Sequence, residues 1–198
     1  MGIAEFTTLQ LAKMRAELME LRRENERLAA LAYRDSLTGL RNRRFFNERL
    51  GEEVCRVHRH RGVLSVVCID VNRFKRLNDA RGHGAGDAAL IAVGRMLESL
   101  TRAEDLCCRV GGDEFIVLLP DTDALQCRHV VERIRSYQAT LEGVGLGRTG
   151  LAVGAATWSE GDDEIRLLGR ADEEMYADKR TSRDQEEAPV DVALAHAA

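Results

Sequence analysis

Two short apolar runs meet at a pair of glycines in Arg109-Val110-Gly111-Gly112-Asp113-Glu114-Phe115-Ile116-Val117-Leu118, and this stretch constrains the chain more than any other. Paired glycines tolerate the positive φ of a tight hairpin, so the stretch reads as two strands turning at Gly111-Gly112. Phe115 to Leu119 is apolar enough to lie inside a sheet. Asp113 and Glu114 do not belong in such a hairpin on packing grounds. Neighbouring acids repel one another and lose hydration on burial, so they call for a cation or a basic partner nearby. An exposed acidic hairpin tip would carry the same letters, and the rest of the sequence decides between the two readings.

The chain of 198 residues holds one ordinary domain plus an extension. Its 44% hydrophobic and 31% charged residues describe a globular protein with a core. A net charge of −4 supplies no general basic field, which argues against nucleic acid as a partner. Any polyanionic ligand must then be held by a local arrangement of cations or metals. No apolar run approaches the roughly 18 residues of a membrane span, and no signal-peptide pattern opens the chain. The five cysteines, Cys55, Cys68, Cys107, Cys108 and Cys127, lack metal-ligand spacing and read as reduced, mostly buried thiols of a cytoplasmic protein.

Residues 4 to 34 are good helix formers without proline or internal glycine. Leu11, Leu18, Asn25 and Ala32 fall at a positions of a heptad, and Met14, Leu21 and Leu28 at d. A lone Asn at an a position pairs with its symmetry mate, which favours two parallel strands in register. The alternative is one amphipathic helix lying on its own domain. Asp35 to Arg43 then forms a hinge, because Asp35, Ser36 and Asn42 are capping residues and Gly39 is a breaker.

A second helix is expected over about 42 to 60, and Val63 to Val71 is a β-branched central strand. Asp70 near its end is out of place, since a buried carboxylate is costly without a metal or cation. Asn72 to Asp79 opens a helix whose free amides suit phosphate. Gly82 to Gly86 reads as a tight glycine loop, with Asp87 capping the helix that runs to about Leu100. After the hairpin come a helix from Asp123 to Leu141, a strand from Thr149 to Thr157 and a last helix from Ile165 to Lys179. From Asp184 onward the composition points to disorder. The expected organisation is a stalk over 1–34, a catalytic domain over 35–183 and a tail over 184–198.

Several of these segments together resemble one family. Gly111-Gly112-Asp113-Glu114-Phe115 matches the GGDEF signature of diguanylate cyclases, and Asp35 to Arg43 is similar to the DxLTGLxNR stretch that begins their catalytic domain. The string Asp70 to Asp87 and the run Ala171 to Lys179 resemble two further family motifs, in the right order. Asn72 stands where many members carry a second Asp, and Ser182 and Asp184 replace Gly and Asn beside Arg183.

The resemblance implies an α/β (α+β) fold, the palm shared with nucleotidyl cyclases: a mostly antiparallel central sheet flanked by helices, behind an N-terminal coiled-coil helix. It implies condensation of two GTP into cyclic di-GMP with release of pyrophosphate. It assigns two Mg²⁺ or Mn²⁺ ions per half-site to Asp70, the Val71 carbonyl, Asp113 and Glu114. Asp113, Glu114 and Lys75 are then the catalytic groups. Asn78 and Asp87 read guanine, and Phe74, Lys179 and Arg183 hold phosphates. Arg102 and Asp105 fall where the family has its product-inhibition site, with Arg133 as an additional arginine. The implied partners are GTP, cyclic di-GMP, a second copy joined through a parallel coiled coil, and a sensor domain ahead of the stalk. The competing readings are a degenerate GGDEF domain that only binds GTP or cyclic di-GMP, and a plain dimerisation module.

Overall fold

β2 (Leu64–Val71) is buried along its whole length, and its side chains alternate between two hydrophobic cores. Val67, Ile69 and Val71 enter one core while Leu64, Val66 and Cys68 enter the other. A strand buried on both faces needs helices on both sides of the sheet, and the chain supplies them. The computed structural model describes residues 3–137 and 150–187. In chain order its remaining elements are α1 (Ile3–Tyr33), β1 (Arg41–Asn42), α2 (Arg43–His60), α3 (Phe74–Arg81), α4 (His83–Leu100), β3 (Leu106–Arg109), β4 (Glu114–Pro120), α5 (Ala124–Tyr137), β5 (Leu151–Thr157) and α6 (Glu164–Glu187).

The sheet runs β1-β3-β4-β2-β5, antiparallel throughout except for the short parallel pair β1–β3. Leu77 of α3, Leu90 and Leu97 of α4 and Ile134 of α5 pack on one face. Phe46 and Leu50 of α2 and Leu167, Ala171 and Met175 of α6 cover the other. The mostly antiparallel palm flanked by helices is therefore present, as is the long N-terminal helix. No described helix is long and apolar enough to cross a membrane. Cys68, Cys107, Cys108 and Cys127 are buried and Cys55 is exposed, all as free thiols.

Among the described strands β5 lies at the edge of the sheet, and α6 guards it. Asp178 accepts from the Val153 amide at 2.9 Å and Glu174 from the Ala155 amide at 2.9 Å. Arg135 of α5 donates to the Val153 carbonyl at 3.2 Å and to Asp178 at 3.0 Å. Three backbone groups on this edge that would otherwise recruit another strand are thus occupied by side chains. Where α6 crosses β5 the backbones nearly touch. A Cβ on Gly154 would lie 2.0 Å from the Met175 nitrogen and 2.3 Å from the Ala171 carbonyl.

The hinge after α1 is a built turn. Gly39 takes a left-handed φ of 76° and its amide donates to the Asp35 carbonyl, while the Asp35 amide donates to the Leu40 carbonyl. Asn42 joins two helix ends. Its amide group donates to the Ala32 and Arg34 carbonyls, and its oxygen caps α2 by accepting from the Phe45 amide at 3.1 Å. Leu11, Met14, Leu18, Leu21 and Leu28 are about half exposed or more, so α1 does not lay its apolar seam on its own domain.

Several local expectations need correction. Gly111 and Gly112 do not take positive φ; the turn is a wider four-residue link from Val110 to Asp113. Gly82 alone is left-handed, with φ 81°, and α4 already begins at His83, so Gly84 and Gly86 are helical and Asp87 is not a cap. A one-residue break suffices because glycine can reverse the chain there without a steric penalty. β1 was not expected, since two residues carry no periodicity. α6 continues to Glu187 because nothing in 180–187 breaks a helix, so the expected tail does not start at Asp184. The remainder of the expected tail, the last residues of the helix expected to reach Leu141, and Thr149 lie outside the described residues.

Candidate active site

β2 and β4 end side by side, and their pairing puts Asp70 opposite Glu114 with Asp113 one residue before it. The Val71 amide donates to the Asp113 carbonyl at 3.1 Å, which extends the pairing by one bond and fixes the two strand ends together. Asp70 is only 6% exposed. Its carboxylate is held by the Lys179 ammonium of α6 at 2.6 Å, so the site places one cation against a buried acid. Burial, and then the charge of Asp70, push the Asp113 carboxyl above its ordinary range, against the lowering by its own backbone, Lys179 and Arg109. A half-buried acid pushed up by the carboxylate beside it marks a site demanding positive charge.

Glu114 is half exposed and turns towards α2, where Arg43 lies 3.7 Å away. Among the described residues no group of three or more His, Cys, Asp or Glu is gathered as a metal cage. The fit to a divalent ion therefore rests on Asp70 and Asp113. Both are hard oxygen donors, and one of them is already neutralised by an ammonium. Those are the donors that Mg²⁺ and Mn²⁺ prefer.

The guanine-reading candidates sit on α3 and α4 across Gly82. Gly86 is buried at their crossing, where a Cβ would lie 2.0 Å from Asn78 Oδ1 and 3.0 Å from the Phe74 ring. Asn78 Oδ1 is buried without a hydrogen-bond partner. An orphaned amide oxygen has lost its hydration for nothing unless a donor arrives from outside the chain. Phe74 is half-buried at the start of α3, and Lys75 and Asp87 are exposed. Arg183 lies on α6, and its side chain is outside the described residues.

Two of the candidate inhibitory residues, Arg102 and Asp105, lie together at the β3 side of the molecule. The Arg102 amide donates to Asp105 Oδ2 at 2.8 Å, and the Asp105 amide to the Arg102 carbonyl at 3.2 Å. Asp105 Oδ1 is buried and unpartnered, and burial raises its carboxyl despite the Arg102 amide and the charges of Arg102 and Arg133. A cavity of about 310 Å³ opens beside it, lined by Arg34, Arg41, Glu98, Thr101, Arg102 and Asp105. Arg133 is exposed on α5 and does not line that cavity. Arg34 and Arg41 were missed in the sequence because they belong to the hinge, and their approach to Arg102 depends on the β1–β3 pairing.

Comparison with known proteins places this arrangement. The model of the GGDEF domain of diguanylate cyclases matches residues 32–185. The diguanylate cyclase TpbB of Pseudomonas aeruginosa is 38% identical over 195 residues, which cover 92% of this chain and 44% of that protein. The response regulator PleD of Caulobacter vibrioides is 37% identical over 169 residues, covering 82% of this chain and 37% of its own length. Among solved structures, the coiled coil and GGDEF domain of DgcB from Caulobacter crescentus, crystallised with c-di-GMP, superposes with a TM-score of 0.79 at 25% identity. That match covers 88% of this chain and 95% of that one. The chain belongs to the GGDEF-domain diguanylate cyclase family. It spans less than half the length of these two curated relatives.

Proposed function

We propose that this chain condenses two GTP molecules into one cyclic di-GMP, releasing two pyrophosphates, with one GTP held by each protomer of a dimer. The observation that carries this reading is the buried Asp70–Lys179 pair beside Asp113, whose carboxyl feels the charges of both. Asp70, Asp113 and the Val71 carbonyl would hold two Mg²⁺ or Mn²⁺ ions, with Glu114 as the supporting acid. Such ions supply the positive charge that lowers the pKa of a hydroxyl and neutralises a phosphate.

The remaining work belongs to the chain. Asn78 and Asp87 read the hydrogen-bonding edge of guanine. Adenine offers a different edge, so an unpaired site group disfavours ATP. The first amides of α3, at Phe74 and Lys75, face the terminal phosphates. Lys179 exchanges Asp70 for those phosphates, with Arg183 as the second phosphate-holding cation. Lys75 stabilises the charge that develops on the phosphates. The seam of α1 joins two copies as a parallel coiled coil and faces the half-sites toward one another. Arg102 and Asp105, with Arg133, bind cyclic di-GMP as a feedback inhibitor. A sensor domain ahead of α1 and a cytoplasmic setting complete the reading.

The test is consumption of GTP by the purified chain. With Mg²⁺ present, pyrophosphate is expected from GTP and not from ATP. Equal release from both nucleotides, or from neither, would defeat the assignment.

A further inference from the structure

Arg109 precedes the acidic turn, and its role was not evident from the sequence. Its guanidinium is mostly buried, with 13% of the side chain exposed, and faces Asp35, which is 21% exposed. Arg109 donates to Asp35 Oδ1 at 3.0 Å and Oδ2 at 3.3 Å through one nitrogen. Through its other two nitrogens it donates to the Gly112 carbonyl, at 3.2 and 2.7 Å. One planar group thus spans the hinge below α1 and the peptide that joins Gly112 to Asp113. That peptide is planar, so fixing the Gly112 carbonyl fixes the plane from which Asp113 departs.

The ends of the turn are tied elsewhere, the Asp113 carbonyl to the Val71 amide and the Val110 carbonyl to Arg43. Among the described residues the Gly112 peptide between them has no other bond to hold it. Neither glycine is locked by a left-handed φ, and nothing lies within 4 Å of a Cβ on Gly112. Below it the Val110 and Gly111 amides both donate to the Glu114 carbonyl, at 3.0 and 3.3 Å, which closes the strand ends without orienting Gly112. The other end of the link is rigid. Asp35 Oδ1 accepts from the Thr38 amide at 2.8 Å and its hydroxyl at 2.7 Å. Against the upward push of burial, these bonds and then Arg109 hold the Asp35 carboxyl below its usual range.

We infer that Arg109 is a positioning residue for Asp113, anchored by Asp35 at the foot of the stalk. Arg109 holds the Gly112 peptide so that the Asp113 carboxylate faces Asp70. The inference rests on the reading of Asp113 as a cation-holding acid.

The test uses the full chain and its Arg109→Ala, Arg109→Lys, Asp35→Asn and Asp35→Asn/Arg109→Ala variants. Thermal unfolding is followed first. Calorimetric titration with Mn²⁺ alone and steady-state GTP kinetics at saturating Mg²⁺ come next. Groups that orient a metal ligand typically contribute about 10–100-fold to affinity or activity, and Arg109→Ala is expected to lose that much in Mn²⁺ affinity and in kcat. KM for GTP should stay within about threefold, because the nucleotide-reading groups are untouched. Arg109→Lys should recover part of the loss. Asp35→Asn should show a smaller loss, and the double variant should be no worse than Arg109→Ala, since both changes cut one link.

A folded Arg109→Ala with wild-type Mn²⁺ affinity overturns the inference, as do independent, additive losses in the double variant. If Arg109→Ala does not fold, Arg109→Lys and Asp35→Asn decide it on the same readouts. A wild type that binds Mn²⁺ but leaves GTP intact would refute the proposed function, and the Mn²⁺ series would still decide the role of Arg109. A wild type that binds no Mn²⁺ would overturn the positioning role itself.

Discussion

A carboxylate at 6% exposure and an amide oxygen with no partner are hard to place in any fold, and Asp70 and Asn78 are those two groups. Asp70 was legible in the sequence because an acid at the end of the run Val63 to Val71 contradicts its surroundings. Its partner was not, since Lys179 is 109 residues away and only the fold brings them together. Asn78 was assigned by resemblance alone; its orphaned oxygen is what the structure adds. Gly86 keeps that oxygen in place by having no side chain. Gly86→Ala would put a methyl group 2.0 Å from Asn78 Oδ1, so Asn78 must rotate away. Losing one base contact should raise the dissociation constant for GTP about tenfold, the worth of a hydrogen bond in a buried site, with the unfolding temperature little changed. Titration calorimetry with GTP checks this. Unchanged affinity would remove Asn78 from the base site.

At the scale of elements, the order of helices and strands after the stalk was readable because hydrophobic period and turn residues agree along most of the chain. Leu64 to Val71 had to be buried, though Val63 before it is exposed, and α5 announces its start with Asp123 and Gln126, whose side chains each cap the other's amide. β1 and the onset of α4 were not readable. A two-residue strand exists only because β3 lies beside it, and two helical glycines look like a loop until the packing around Gly86 is known. The backbones of α6 and β5 nearly touch at Gly154, and the same helix carries Lys179 to Asp70. Gly154→Ala should destabilise the chain by about 3 kcal/mol, the upper range for overpacking, because its Cβ meets backbone rather than a movable side chain. Gly169→Ala on the same helix meets nothing within 4 Å and should stabilise by about 0.5–1 kcal/mol through helix propensity. Denaturant midpoints of the two variants separate crossing from propensity. Equal effects would mean that α6 can shift on the sheet.

For the whole molecule, the seam of α1 is what a single chain leaves unfinished, with Leu18 half exposed and Leu21 69% exposed. Burying such a stripe in a second copy would raise the effective concentration of one half-site for the other. Replacing Leu18 and Leu21 by glutamate should therefore make specific activity rise steeply with protein concentration. Sedimentation as an unchanged dimer with unchanged activity would take the organising role away from the stalk. The proposed feedback belongs to the same scale, because the cavity beside Arg102 lies next to the hinge residues Arg34 and Arg41. Arg102→Ala should weaken cyclic di-GMP binding by about 1.5–3 kcal/mol, the range for a hydrogen bond to a charged group, while the initial rate stays unchanged. Equal calorimetric affinities would reduce Arg102 and Asp105 to a surface turn.

The central claim is the condensation itself, and it is tested by identifying the product. Wild type and Asp113→Ala are incubated with GTP and Mg²⁺, and the nucleotides are separated by chromatography. Wild type should yield one cyclic di-GMP and two pyrophosphates for every two GTP consumed. Asp113→Ala, folded and able to bind GTP, should be slower by several orders of magnitude. A wild-type chain that binds GTP and returns it unchanged would make this a receptor domain, and an Asp113→Ala variant of near-normal rate would contradict the acid pair on which the account stands.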